Sequence, residues 1–224
     1  MKRKVNLIFQ LSLFCISLSG IAFKLSLSRN LSGALMQLSY YTLQTNLIVA
    51  IVALLNAVFS IRTTKSQITA GLLRIITGGS VLWITVTMTI YLILLSDHYR
   101  PRGQALFANN LLHYVTALLA IIFWLIFEEG KSYRFFYPSL WAVYPLSYAV
   151  VSVIRGAITG FFSYWFLDPA AAYPNGIGSY LNLFIFTLVV GLIFIATEYL
   201  MVFLNHLHLS GGRFANLFKN NNQI

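Results

Sequence analysis

The chain has 224 residues, of which 58% are hydrophobic and 9% are charged, and its formal net charge is +10. Soluble domains carry roughly 25% charged residues, so this composition excludes an ordinary water-soluble protein. The positive charge does not indicate a nucleic-acid partner, because the basic residues are scattered through short segments and do not cluster with aromatic residues. The composition predicts an integral membrane protein.

Six long apolar stretches fill almost the whole chain. A helix needs about 20 apolar residues to cross the bilayer core, and each stretch reaches that length with few charges inside it. We therefore predict an all-α fold, in which residues 1–210 form a single bundle of six transmembrane helices and residues 211–224 form a polar C-terminal tail. The predicted spans are residues 5–27, 38–60, 71–95, 108–127, 138–164 and 179–205.

The basic residues between the spans predict that both termini are cytoplasmic. With the N-terminus inside, nine basic residues fall on the inner side and four on the outer side, as the positive-inside rule favours. The inner set is Lys2, Arg3, Lys4, Arg62, Lys65, Lys131, Arg134, Arg213 and Lys219, and the outer set is Lys24, Arg29, Arg100 and Arg102.

His113 is the most informative polar residue within a span. It lies near the start of the fourth span, and Asn109, His113, Thr116 and Ala120 share one helix face, which we expect to point into the bundle. A histidine in this position can simply hydrogen-bond a neighbouring helix. Ionisable groups inside membrane spans are, however, more often functional.

Thr42 lies near the start of the second span, with Thr45 and Asn46 within about one helical turn of it. In the predicted orientation, Thr42 is ~6 Å and His113 is ~8 Å below the outer rim, counting 1.5 Å per residue. A threonine in a membrane helix commonly bonds only its own i−4 carbonyl. At matching depth, however, an imidazole can take the proton of the hydroxyl. A hydroxyl nucleophile and an imidazole base are the fewest side chains that acyl transfer requires.

The fifth span carries a second polar face, which includes Tyr148, Arg155 and Thr159. An arginine is costly in hydrocarbon unless it meets a partner, water or an anionic ligand. Two interpretations remain open. Arg155 either bonds carbonyl groups or an internal partner, or it binds a carboxylate or phosphate group of a ligand.

Two further charged residues lie near the inner ends of spans, Arg74 in the third span and Glu198 in the sixth. We expect them to pair, because the spans offer no other carboxylate that would continue a proton relay. His206 and His208 point to different sides of a helix, and no Cys or carboxylate cluster joins them. We therefore expect no metal site and no cofactor.

Several segments resemble the bacterial Pr-six-Pr family of six-span membrane proteins. The similarity covers nearly the whole chain and implies a bacterial plasma-membrane protein. More distantly, the chain resembles the androgen-induced and androgen-dependent membrane hydrolases, which cleave fatty-acid esters of hydroxy fatty acids with a Thr nucleophile and a His. The segments that carry the resemblance are Tyr40-Tyr41-Thr42-Leu43-Gln44-Thr45-Asn46-Leu47, Asn109-Asn110-Leu111-Leu112-His113, Tyr137-Pro138, and Tyr148 through Asp168.

The resemblance implies a role for individual residues of this chain. Thr42 falls on the nucleophile of the hydrolases, with Thr45 as the reserve candidate. Asn109 and His113 fall on the Asn-x-x-x-His motif, and Asp168 falls on the acidic residue that follows the fifth span.

Together, these observations predict a membrane-embedded lipid-ester hydrolase whose site opens toward the outer leaflet. In this hypothesis Asn46 or Asn182 donates to the oxyanion, Asp168 orients His113, and Arg155 holds the acyl carboxylate. Tyr148 and Thr159, on the same face as Arg155, are further candidates for binding the substrate. The expected partners are membrane lipids and a lipid-ester substrate. A small transporter or lipid-binding protein that uses the same polar residues is the alternative from another class, and a purely structural membrane protein is the third.

Overall fold

The computed structural model describes residues 2–61 and 67–207. Within them, six helices are long and apolar enough to cross a membrane, as the sequence predicts: Arg3–Ser26, Tyr41–Ile61, Gln67–Leu95, Gln104–Phe127, Tyr137–Thr159 and Tyr180–His206. The predicted tail, residues 211–224, lies outside the described residues, as do His208 and four of the basic residues used for the orientation. These four are Arg62, Lys65, Arg213 and Lys219.

The helices are numbered in chain order. They are α1 (Lys2–Ser26), α2 (Leu31–Gln37), α3 (Tyr41–Ile61), α4 (Gln67–Ile90), α5 (Gln104–Asn110), α6 (Thr116–Phe127), α7 (Tyr137–Thr159) and α8 (Tyr180–His206). The short helix α2 begins at an Asn cap, because the Asn30 Oδ1 atom accepts a hydrogen bond from the Gly33 N–H at 2.8 Å. The long helix α7 ends at Gly160, whose φ of +73° is in the left-handed region that favours glycine.

Two of the apolar spans contain a π-helical segment, which the sequence analysis did not predict. The segment π1 (Tyr91–Leu95) follows α4, and the segment π2 (Leu111–Val115) joins α5 to α6. In π2, the Thr116 N–H and the Thr116 hydroxyl both donate to the Leu111 carbonyl oxygen, the hydroxyl at 2.9 Å. A π-helical segment is rare and occurs frequently at functional sites.

The chain forms two compact units. Unit 1 comprises the described residues within Met1–Tyr133 and Leu204–Ile224, and unit 2 comprises Arg134–Phe203. The apolar core of unit 1 includes a cluster of Ile21 from α1, Leu43 from α3 and Leu112 from π2. This cluster packs α1 and α3 against the segment that carries His113.

Within unit 1, Arg74 pairs with Glu129, whereas the sequence predicted Glu198, which belongs to unit 2. Arg74 lies 3.4 Å from Glu129, which follows the end of the fourth span and is 81% exposed. An ion pair at the rim keeps both charges hydrated, whereas a pair with Glu198 would desolvate them. Glu198 lies in unit 2 and is fully buried. Neither of its carboxyl oxygens has a hydrogen-bond partner within the described part of the chain.

Asn205, near the end of α8, is hydrogen-bonded to residues 128–133, the segment that follows α6. Its Oδ1 atom accepts from the Ser132 N–H at 2.9 Å and the Tyr133 N–H at 3.0 Å, and its Nδ2 atom donates to the Glu129 carbonyl at 2.9 Å. Asn205 is fully buried, and the Tyr133 N–H, which is buried with it, depends on its side chain in place of water.

Glu128 is the first residue of this segment 128–133 and comes directly after the end of the fourth span. Its Oε1 atom accepts a hydrogen bond from the Ser132 hydroxyl at 2.9 Å. Burial raises the pKa of Glu128 from its ordinary value of 4.5 to about 7, and this effect outweighs the Ser132 hydrogen bond and the charge of Arg74, which both favour the carboxylate. The folded protein therefore binds this proton more tightly than the unfolded chain does.

We expect the stability of the protein to fall as pH rises from about 4.5 to about 7, because the raised pKa of Glu128 gives the folded state more bound protons across that window. The thermal unfolding midpoint in detergent, measured across this range, should show the decrease. The Glu128→Gln variant keeps a neutral side chain of the same shape and should lose this part of the pH dependence. An equal slope in both proteins would contradict the assignment to Glu128.

Candidate active site

The hydroxyl of Thr42 and the imidazole of His113 lie in contact inside unit 1. Thr42 is the second residue of α3, and His113 is the central residue of π2. Their Oγ1 and Nε2 atoms are 3.2 Å apart, and the two residues are 7% and 9% exposed. The structure thus brings together the two residues that the sequence analysis placed at matching depth.

The backbone of Asn109 fixes which nitrogen of His113 carries the proton. The Nδ1 atom lies 3.1 Å from the Asn109 carbonyl oxygen, which can only accept a hydrogen bond. Nδ1 is therefore protonated in the neutral ring, and the lone pair is on Nε2, facing Thr42. In this tautomer the Thr42 hydroxyl donates to Nε2, which is the polarity that a nucleophile and its base require.

Tyr91 is a member of the site that the sequence analysis missed. It is the first residue of π1, and its ring stacks on the His113 ring with the centroids 4.0 Å apart and the planes at 26°. Its hydroxyl accepts a hydrogen bond of 2.8 Å from Asn109 Nδ2. Asn109 thus holds the imidazole through its carbonyl and the stacked Tyr91 through its amide.

Asn46 lies one turn after Thr42 and ties α3 to π2. Its Nδ2 atom donates to the Thr42 carbonyl at 2.8 Å and to the Leu112 carbonyl at 3.0 Å. Both hydrogens of the amide are used, so Asn46 has none left for the oxyanion role suggested by the sequence. Through these two bonds Asn46 fixes the main chain of Thr42 to that of the residue before His113.

Thr45, the reserve nucleophile, is also buried but makes different contacts. Its single hydroxyl proton is shared between two acceptors, the Thr42 carbonyl oxygen at 3.1 Å and the Thr87 Oγ1 atom at 2.9 Å. The Thr87 hydroxyl in turn donates to the Trp83 carbonyl at 3.0 Å. These contacts link α3 to α4, so the geometry favours Thr42 over Thr45 as the nucleophile.

Asp168 and Asn182 belong to unit 2, where both stabilise local turns. The Asp168 Oδ1 atom accepts from the Ala170 N–H at 2.8 Å and the Ala171 N–H at 3.3 Å. The Asn182 Nδ2 atom donates to the Ile177 carbonyl at 2.9 Å. In unit 1 the Asn109 carbonyl oxygen fills the orienting position that the sequence analysis gave to Asp168.

The three residues predicted to bind substrate, Tyr148, Arg155 and Thr159, lie on α7 in unit 2. The Thr159 hydroxyl donates to the Arg155 carbonyl at 2.8 Å and accepts from the Phe161 N–H at 3.3 Å, so it closes the end of the helix. Arg155 donates from Nη2 to the Ser163 hydroxyl at 2.6 Å.

Comparison of the chain with protein-family models, with curated protein sequences and with solved structures finds no match.

Proposed function

We propose that unit 1 is a membrane-embedded lipid-ester hydrolase in which Thr42 is the nucleophile and His113 is the general base. The observation that carries the proposal is the buried 3.2 Å contact between Thr42 Oγ1 and His113 Nε2, with Nδ1 bonded to the Asn109 carbonyl. In the predicted orientation, the pair lies toward the outer leaflet.

The chemistry follows from the tautomer of His113. Thr42 Oγ1 attacks the ester carbonyl carbon while its proton passes to Nε2. The tetrahedral intermediate then collapses, the bond to the alcohol breaks, and the leaving oxygen takes the proton from Nε2. A water molecule next attacks the acyl-threonine, its proton passing to Nε2. Collapse of the second intermediate releases the fatty acid and returns the proton to Thr42.

A lipid ester is the substrate class that fits the location of the pair. Both residues belong to apolar helices long enough to span a membrane, so the carbonyl of an acyl chain reaches them more readily than a water-soluble ester does. The resemblance of this chain to the androgen-induced hydrolases supports the same substrate class.

A ligand-binding or transport protein is the second candidate, and unsatisfied polar atoms favour it. The Oδ1 atoms of Asn46 and Asn109 are buried without a hydrogen-bond partner within the described residues. Each would accept a hydrogen bond from a ligand that carries a donor, without any covalent step. This candidate predicts binding with no modification of Thr42.

Covalent labelling separates the two candidates. A fluorophosphonate with a long alkyl chain should react with the purified protein, because Thr42 Oγ1 displaces fluoride while His113 accepts the proton. We expect Thr42→Ala to abolish the labelling and Thr42→Ser to keep it. Thr45→Ala is the matched control, since it removes a buried hydroxyl one turn away on the same helix and should still be labelled.

Two labelling results would count against the hydrolase. Labelling of the wild-type protein that persists in Thr42→Ala would refute Thr42 as the nucleophile. An unreactive wild-type protein that binds lipid ligands would favour the second candidate.

A further inference from the structure

Arg155 in unit 2 has an incomplete set of hydrogen-bond partners. Its Nη2 atom donates to the Ser163 hydroxyl at 2.6 Å, and its guanidinium lies over the Phe161 ring at 4.9 Å. Its Nε atom is buried and has no hydrogen-bond partner within the described residues. A buried N–H that is left unsatisfied costs free energy, so an arrangement of this kind indicates a ligand with acceptor atoms.

Arg155 also lacks an acidic partner within the described residues, because no carboxylate there forms an ion pair with it. A guanidinium presents its N–H groups in a planar fork that matches the oxygens of a phosphate or carboxylate. The free Nε–H is one arm of that fork.

The surroundings of Arg155 are those of a membrane interface. The residue lies four positions before the end of α7, about 6 Å along the axis. Beyond the helix end, Trp165 and Tyr173 pack edge to face with ring centroids 5.5 Å apart, and Trp and Tyr are enriched at headgroup depth. The neighbouring side chains Ile154 and Ile158 are exposed, so acyl chains have access to this stretch of α7.

We propose that Arg155 and Ser163 form a binding site for the phosphate group of an anionic phospholipid. The phosphate oxygens accept from the Arg155 Nε–H and from a second N–H of the guanidinium, while the acyl chains lie along the exposed apolar face of α7. The site belongs to unit 2 and does not depend on the hydrolase proposed for unit 1.

Native mass spectrometry of the purified full chain tests this site directly. The protein is incubated with phosphatidylglycerol and phosphatidylcholine at equal concentration. We expect the wild-type protein to retain phosphatidylglycerol about tenfold more strongly, as one charge-assisted contact supports. Arg155→Gln should lose this preference, whereas Arg155→Lys should keep part of it, because lysine retains the charge without the planar fork.

Arg134→Gln is the matched control. It removes the same charge from an exposed arginine in unit 2 that lies just before the opposite end of α7, so it should leave the preference unchanged. An equal loss in both Gln variants would overturn the proposal, because it would indicate attraction by net charge alone. An unchanged preference in Arg155→Gln would also overturn it.

Two measurements on the wild-type protein need no variant. Phosphatidylglycerol should slow amide hydrogen exchange in residues 155–165, and phosphatidylcholine should slow it much less. Equal effects of the two lipids on this segment would contradict the site. In a competition experiment, inorganic phosphate is added at the same concentration as phosphatidylglycerol. Displacement of the lipid would show that the site binds the free phosphate ion instead.

Discussion

Replacing His113 with glutamine should lower the hydrolysis of a long-chain ester by at least about 10³-fold, because the amide cannot take the proton of the Thr42 hydroxyl. Glutamine retains a polar side chain of similar reach, so the buried position is not left empty. The measurement is kcat/KM of the purified protein in detergent with a fluorogenic long-chain ester. The proposed chemistry requires the loss to fall mainly on kcat.

His98→Gln is the control for this experiment, because it makes the same substitution at an exposed position. We expect its kcat/KM to stay within about twofold of the wild-type value, as is usual for surface substitutions remote from a site. A His113→Gln variant that is folded and keeps most of its activity would contradict the assignment of His113 as the base.

Replacing Asn205 with leucine should lower the free energy of unfolding strongly. The substitution removes the hydrogen-bond partner of the Ser132 N–H, the Tyr133 N–H and the Glu129 carbonyl. The Tyr133 N–H is buried, whereas the other two groups are part-buried and can recover a bond to water. An unsatisfied buried group costs about 1–3 kcal/mol, so we expect the free energy of unfolding to fall by about 2–3 kcal/mol. Denaturant-induced unfolding in detergent measures this change.

Asn182→Leu is the corresponding control, because it makes the same substitution at an exposed position of the same helix. We expect it to change the free energy of unfolding by less than about 1 kcal/mol, since water can replace its single side-chain bond to the Ile177 carbonyl. A similar loss of unfolding free energy in both variants would show that the bonds from Asn205 to the segment 128–133 do not stabilise the protein.

The sequence predicted the spans and the Thr42–His113 contact for the same reason. Span length is set by the bilayer, and a fixed rise per residue converts position along a span into depth. Two polar residues at similar depth, each on an inward face, then have few neighbours available other than each other. The observed 3.2 Å separation agrees with that expectation.

The π-helical segments could not be predicted in this way. A π turn shifts the hydrogen-bond register by one residue and leaves no mark in composition or in the spacing of apolar residues. Tyr91 lies within an apolar run and therefore resembles a lipid-facing aromatic residue in the sequence. Only the packed structure shows it stacked on His113.

The group that orients His113 was also beyond the sequence. An orienting acceptor is expected among carboxylates, and Asp168 was the available candidate. The structure uses the Asn109 carbonyl oxygen, 3.1 Å from Nδ1. Every residue has such a carbonyl, so a sequence cannot indicate which one remains free to accept a side-chain bond.

The observed partner of Arg74 differs from the predicted Glu198 for a similar reason. The sequence placed both residues near inner span ends, but a long arginine side chain also reaches the connecting segments. Glu129, in such a segment, lies 3.4 Å from Arg74 and remains hydrated. Depth alone therefore predicts a contact between two buried groups better than a contact at the rim.

Covalent modification of Thr42 during turnover is tested most directly by peptide mass spectrometry of the fluorophosphonate-labelled wild-type protein. We expect the adduct on the peptide that begins α3, with fragment ions that place it on Thr42. An adduct on another residue, or ester hydrolysis that leaves Thr42 unmodified by the probe, would contradict the role of Thr42 as the nucleophile.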